Sequence, residues 1–295
     1  MLKQTLFFSK PCKLSLRLKQ LVIEREDFPQ PVTRPIEDLS VVIIENQQVI
    51  VTIPLLNELA NNNVAVIFCD SHFMPSMQLV PLEANATQQE SYKFQLNASV
   101  PLIKRIWKEV IETKIKNQAL LLEHFSKNAS LLKPLYNNVK SGDSDNMEGS
   151  AARLYWRELF GANFRRDRYG DYPNELLNYG YTVLRAATAR ALIGSGLNLS
   201  FGIFHRNRYN PFPLADDIME AYRPFVDDIV VQMIQIDRQT LSAETKSKLI
   251  NVIYRDVWMN NHKHPLQVAL TLTAASLLRV FKGEDKNVLL PSYSP

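Results

Sequence analysis

Two carboxylates and one imidazole stand out for the chemistry they could do together. Glu148 lies in Met147-Glu148-Gly149-Ser150-Ala151-Ala152-Arg153, His205 in Gly202-Ile203-Phe204-His205-Arg206, and Glu220 in Asp217-Ile218-Met219-Glu220-Ala221-Tyr222-Arg223-Pro224. Hard carboxylate oxygens suit Mg²⁺, and a single imidazole beside them makes Mn²⁺ an equally sensible occupant. Such an ion polarises a phosphodiester and lowers the pKa of an attacking hydroxyl or water. The surroundings suit a nucleic-acid phosphate. From Arg153 to Arg208 there are nine arginines, no lysine and four acids, a local charge of +5 in a chain whose net charge is only +4. The basic character is local, and the guanidinium fork is the group that grips phosphate oxygens in pairs.

Taken singly, each of these residues has an ordinary explanation. Asp217 and Glu220, three apart on a helix, share one face, and a solvated acidic face would look the same. A lone histidine beside Phe204 is usually a core residue or a cap. Glu148, in the first turn after the polar loop Lys140 to Asn146, could simply favour the helix dipole. Arg157, Arg185 and Arg190 read one by one as surface charges. The same is true of Arg153, Arg165, Arg166, Arg168, Arg206 and Arg208, although as a set these six are the candidate DNA contacts. Arg165-Arg166-Asp167-Arg168 falls in a loop that a phosphate backbone can approach. Tyr155, Tyr169, Tyr172, Tyr179 and Tyr181 interleave with the charges and some of them could stack on frayed ends, whereas Trp156 has core spacing.

Other chemistries lack their signatures. There is no G-x-x-x-x-G-K-[ST] phosphate loop, no G-x-G-x-x-G turn and no H-E-x-x-H motif. Gly194-Ser195-Gly196 reads as a helix terminator, and His262-Lys263-His264 as a solvated turn. Cys12 and Cys69 are too few and too far apart for a disulfide framework or a cysteine zinc site.

The elements that must position these residues change character along the 295-residue chain. Leu14, Leu16 and Leu18 alternate with Ser15, Arg17 and Lys19, the period of a half-buried strand. Short β-branched or apolar runs follow at Leu21 to Ile23, Ser40 to Ile44, Val49 to Ile53, Ala65 to Phe68 and Met77 to Val80, with one short helix over Pro54 to Asn61. From Val100 the period becomes helical, and it returns over Ala119 to Phe125, Gly149 to Phe160, Tyr179 to Ile193, Asp216 to Ile236 and Leu266 to Phe281. The expected fold is therefore α+β in two domains. Residues 1–82 form a small, mostly antiparallel β domain, 83–98 a polar linker, and 99–295 a larger all-helical domain carrying the metal site, with 282–295 frayed. No stretch approaches the ~20 apolar residues of a membrane helix, and Lys3, Lys10 and Lys13 interrupt any signal-peptide core. A cytoplasmic protein is expected.

The frames around the three candidate ligands, together with Leu177-Asn178-Tyr179-Gly180-Tyr181, resemble the CRISPR-associated endonuclease that serves as integrase in spacer acquisition. The resemblance covers nearly the whole chain. The length and the Asp-Ile-Met-Glu form look most like versions from systems with one large RNA-guided effector nuclease. The resemblance implies that Glu148, His205 and Glu220 hold Mg²⁺ or Mn²⁺, with Glu220 standing where many members have Asp. It implies an assisting catalytic role for Asp217 and a phosphate contact for Arg208; Asp216 acquires no role from it. The implied reaction is transesterification, in which the 3′-hydroxyl of captured DNA attacks a phosphodiester at the edge of a CRISPR repeat. The implied assembly is a homodimer joined through the β domains, with two dimers bridged by a dimer of a small companion nuclease-fold protein in a heterohexamer on DNA. A non-catalytic helical DNA-binding scaffold, or a stand-alone nuclease on branched DNA, are the alternatives.

Overall fold

The computed structural model describes residues 3–71, 73–81, 85–168, 170, 172–205, 207–236 and 240–294. The chain divides into two units, Met1–Ala84 and Asn85–Pro295.

The first unit contains β1 (Gln4–Phe8), β2 (Lys13–Arg17), β3 (Gln20–Glu24), β4 (Val32–Pro35), β5 (Leu39–Ile44), β6 (Ile50–Val51), α1 (Ile53–Asn61), β7 (Ala65–Cys69) and β8 (Pro75–Leu79). They form two four-stranded sheets, ordered β1-β5-β7-β8 and β4-β3-β2-β6. Leu14, Leu21, Leu39, Val42, Leu55, Leu59 and Val66 build the core. The expectation of a mostly antiparallel domain does not hold. Among the described residues β1–β5, β5–β7 and β2–β6 pair in parallel, against antiparallel β2–β3, β3–β4 and β7–β8. The reason lies in β5, whose six residues are all buried. A strand covered on both faces has the unbroken apolar run of an internal parallel strand, and α1 lies in the long connection needed to bring β7 back parallel to it.

The second unit contains α2 (Gln88–Leu96), α3 (Val100–His124), α4 (Lys133–Asn137), α5 (Met147–Phe160), α6 (Asn174–Gly194), α7 (Pro213–Met219), α8 (Arg223–Ile236), α9 (Ala243–Ile250), β9 (Asp256–Met259), β10 (His262–Pro265) and α10 (Leu266–Lys282). Most of α6 is buried, as befits a central helix apolar on nearly every side, and α7, α8, α9 and α10 pack around it. Gly194 ends α6 and Gly196 follows at φ 80°. Among the described residues no helix is long and apolar enough to cross a membrane.

Five expectations for this unit are corrected. Within the supposed linker, residues 88–96 are the helix α2. Its packing is polar: Gln95 is buried and its amide donates to the carbonyls of Asn198 and Phe201, both at 2.9 Å, so no apolar period marks it. The unit is not all-helical, because β9 and β10 form a hairpin through Asn260 and Asn261, both with positive φ. His262 and His264, read as a solvated turn, are therefore strand residues. The helix expected over 216–236 is broken by a 3₁₀ turn at Glu220–Tyr222. The C-terminal segment, expected to fray, is packed: Val288 N–H donates to Glu109, Leu289 N–H to Ser276, and Tyr293 N–H to Asn117. Each bond joins a backbone amide to a side chain distant in sequence, which no local pattern encodes.

Candidate active site

Glu148 stands in the first turn of α5. The chain enters this helix through Asn146, whose backbone is left-handed (φ 54°) and whose side-chain oxygen accepts the Gly149 N–H at 3.1 Å. A Cβ at position 149 would lie 2.8 Å from the Asn146 amide, so glycine lets the cap close. Asp143 accepts the N–H groups of Met147 and Glu148 at 2.8 and 3.1 Å. The helix start, and with it the Glu148 backbone, is thus fixed by satisfied donors.

His205 lies in the loop between α6 and α7, and Asp217 of α7 organises that loop. Fully buried, Asp217 accepts the backbone N–H groups of Ile203, Phe204 and His205, the last two at 3.0 Å, and its Oδ1 lies 2.6 Å from His205 Nδ1. Gly202 allows the wrap. A Cβ there would meet Pro213 at 2.8 Å, the His205 carbonyl at 2.9 Å and Asp217 at 3.0 Å. The hydrogen bond to Asp217 raises the His205 pKa against the opposing effect of burial. With Nδ1 engaged, Nε2 is the ring nitrogen left for a ligand.

Glu220, 3% exposed, sits in the 3₁₀ turn between α7 and α8. Its Oε1 lies 2.8 Å from Arg223 Nη2 and its Oε2 2.6 Å from Lys114 Nζ, and the same ammonium is 2.5 Å from Glu148 Oε1. Burial alone would push the Glu220 carboxyl up, but Arg223 and Lys114 outweigh it and hold the group below its ordinary value. For Lys114, burial acts downward, yet Glu220 and Glu148 raise its pKa. Two carboxylates from different elements therefore converge on one positive point.

That convergence tests the fit of a divalent ion. Among the described residues no three His, Cys, Asp or Glu side chains are gathered as a ready metal cluster, and the Lys114 ammonium stands where the two carboxylates meet. The donors nonetheless fit in kind. Glu220 Oε2 makes no aligned hydrogen bond despite its burial and the nearby ammonium, and His205 is oriented by a buried carboxylate, the usual outer partner of a metal-bound imidazole. Two carboxylates and one imidazole are donors of the kind a hard divalent cation takes.

The surrounding residues divide into builders and exposed charges. Asp216, without a role in the sequence, takes Arg185 Nε and Nη2 at 2.5 and 2.9 Å and Asn210 at 2.7 Å, bracing the loop of His205. Arg166 donates to Asn174 at 3.0 Å and Asn178 at 2.7 Å, which ties its own loop to α6. Arg153, Arg165, Arg168 and Arg208 are exposed; Arg153 contacts Ser150, and Arg208 the Tyr209 hydroxyl. Arg206 and Tyr169 lie outside the described residues. Buried Asp227 accepts from the hydroxyls of Tyr155 and Tyr181, so those tyrosines are structural. Lys114 and Arg223 were missed in the sequence. Lys114 did leave a signal, since it occupies the apolar stripe of α3 with Val110, Ile111, Ile115 and Gln118.

A small β unit followed by a larger helical unit, in which Glu148 and Glu220 meet on Lys114 and Asp217 holds His205, defines the class of protein. The family model for CRISPR associated protein Cas1 matches residues 6–259, and the chain belongs to that family. It is 38% identical over 288 residues to the CRISPR-associated endonuclease Cas1 of Neisseria meningitidis serogroup C, covering 96% of this chain and 94% of the relative. Among solved structures, a casposase bound to integration product aligns with a TM-score of 0.80 at 20% identity, over 98% of this chain and 92% of that one. A Cas6-RT-Cas1–Cas2 complex aligns with a TM-score of 0.73 at 21% identity, over 96% of this chain and 35% of the matched chain.

Proposed function

We propose that this Cas1-family chain is a divalent-metal-dependent DNA endonuclease and integrase of spacer acquisition, joining 3′-hydroxyl ends of captured DNA to a CRISPR repeat. The observation that carries the reading is the meeting of Glu148 and Glu220 on one cationic point, close enough to His205 for Glu220 and His205 to shift each other's pKa. Glu148, Glu220 and His205 Nε2 would hold Mg²⁺ or Mn²⁺, which when bound polarises a phosphodiester and acidifies the attacking hydroxyl. Asp217 orients the imidazole, Arg223 orients Glu220, and Asp143 fixes the start of α5. One P–O bond forms between the incoming 3′-oxygen and the phosphorus on the repeat's 5′-oxygen while the P–O bond to the 3′-oxygen of the flanking nucleotide breaks. That oxygen takes up the proton the attacking hydroxyl loses, so no nucleotide triphosphate is required.

Exposed Arg153, Arg165, Arg168 and Arg208 are the proposed phosphate contacts, and Arg166 shapes the loop that presents two of them. A Cas2-type companion is proposed from the family resemblance, with a Cas1–Cas2 assembly among the structural neighbours. The β unit is the proposed dimerisation domain, and it leaves Ile50, Ile53 and Met77 exposed, apolar surface of the kind an interface covers.

The Lys114 bridge also supports a second reading, in which both glutamates serve only as partners for a buried lysine in a DNA-binding scaffold. Strand-transfer assays with the companion protein separate the two. Glu148→Ala, His205→Ala and Glu220→Ala should each abolish metal-dependent joining while leaving DNA binding largely intact. Full activity in any one of them removes that residue from the centre, and wild-type binding without joining in either metal favours the scaffold.

A further inference from the structure

Beside His205 the second unit opens into a cavity of about 710 Å³, with Ile103, Lys104, Trp107, Phe201 and Phe204 among its walls and His205 at its edge. Its most ordered feature is an aromatic column. The Trp107 and Phe204 rings lie 4.3 Å apart between centroids with planes within 3° of parallel, and the His205 imidazole stands edge-on to both. Trp107 is only 1% exposed, whereas Phe204 remains 47% exposed although one of its faces is covered by the indole. The exposed area of Phe204 therefore belongs to its other face and its edges. Nor is this residue loosely held: its backbone N–H donates to Asp217 at 3.0 Å, in the wrap that fixes His205.

We propose that this cavity is a nucleobase site, which stacks one unpaired base of the DNA strand undergoing reaction on the open face of Phe204. The assignment rests on the proposed function and extends it to how the strand end is held. A flat apolar face beside the phosphate-handling residues matches a base, which would extend the Trp107–Phe204 column by one layer, while Lys104 offers a cation to the attached phosphate. The walls are mainly apolar, and the Gln95 amide at the cavity is occupied by the Asn198 and Phe201 carbonyls. Recognition then follows stacking, tolerant of sequence and stronger for purines than for pyrimidines. Placing a base there anchors the nucleotide next to the scissile or attacking group, and so limits its motion relative to His205.

The test uses the full chain and a forked duplex carrying 2-aminopurine at successive unpaired positions near its 3′ end. Wild-type protein should quench the fluorescence at one position. Phe204→Leu, which keeps apolar bulk but has no π face, should abolish the quenching and lower the affinity ratio of forked over blunt duplex by roughly tenfold, the scale of one base–aromatic stack. Phe204→Trp should restore both. Absence of quenching at every position, or equal quenching by Phe204→Leu, overturns the assignment. So does intact quenching with weakened assembly onto the companion protein, which would make the occupant a peptide. Quenching reports binding alone: if it depends on Phe204 while no joining occurs, the base site stands and the integrase reading falls. Joining without quenching has the opposite meaning.

Discussion

Lys114 is where the chemistry of the centre and the stability of the fold meet. Its ammonium neutralises Glu148 and Glu220 from the buried face of α3. Lys114→Met should leave the two carboxylates without their shared cation and cost about 3–5 kcal/mol, as breaking a buried pair does. Melting followed by calorimetry should show a lower midpoint in EDTA, and Mn²⁺ should raise it further in the variant than in the wild type. An equal or smaller response to Mn²⁺ would mean that Lys114 does not occupy the place of the ion. Asp227 offers a separate test at the same scale. Burial lifts its carboxyl to about 6, from an ordinary 3.8, against the two tyrosine hydroxyls and the nearby arginines. Between about pH 4 and 6 the folded state then binds more protons than the unfolded one, so this group's contribution to stability falls as pH rises, by up to about 3 kcal/mol. Asp227→Asn removes that loss. The difference in melting temperature, variant minus wild type, should climb across the window and level off above it; a constant difference would contradict the assignment. The ligand candidates were legible at this scale because each sits in a distinctive frame. Arg223 was not, since an arginine three residues after a glutamate looks like an ordinary helix-surface pair.

Elements place these residues through backbone contacts that a pattern of hydrophobicity does not record. The helical period of α3, α5, α6 and α10 was readable because each buries an apolar face. The break at Glu220 was not, because Met219, Ala221 and Tyr222 stay buried through the 3₁₀ turn and the apolar signal runs on. The same blindness hid α2 and the packed C-terminal segment, which are held by amide hydrogen bonds. The loop of His205 shows how tightly such contacts are fitted. Gly202→Ala would drive a methyl against Pro213, the His205 carbonyl and Asp217, all within 3.0 Å. Two of the three are parts of the wrap itself, so the loop must shift. A loss of about 1–3 kcal/mol is expected from overpacking, with joining reduced more than DNA binding. Unchanged melting and unchanged joining would show that the wrap is slack.

At the scale of the whole molecule, the division into a β unit and a helical unit was visible in the change of period. The parallel pairing of β1, β5 and β7 was not, since a run buried on both faces is silent about strand direction. What the helical unit accomplishes is convergence: α3 brings Lys114, α5 brings Glu148, the turn before α8 brings Glu220, and α7 holds the loop of His205 through Asp217. The central claim is that these parts hold one divalent ion per chain through two carboxylates and one imidazole nitrogen. Pulsed electron paramagnetic resonance of Mn²⁺ bound to the full chain tests it most directly. The account predicts a single tight Mn²⁺ with a directly coordinated ¹⁴N, a coupling lost in His205→Gln, and weakened Mn²⁺ binding in Glu220→Gln. Tight Mn²⁺ that shows no nitrogen coupling, or a coupling that survives His205→Gln, would place the metal elsewhere and contradict the account.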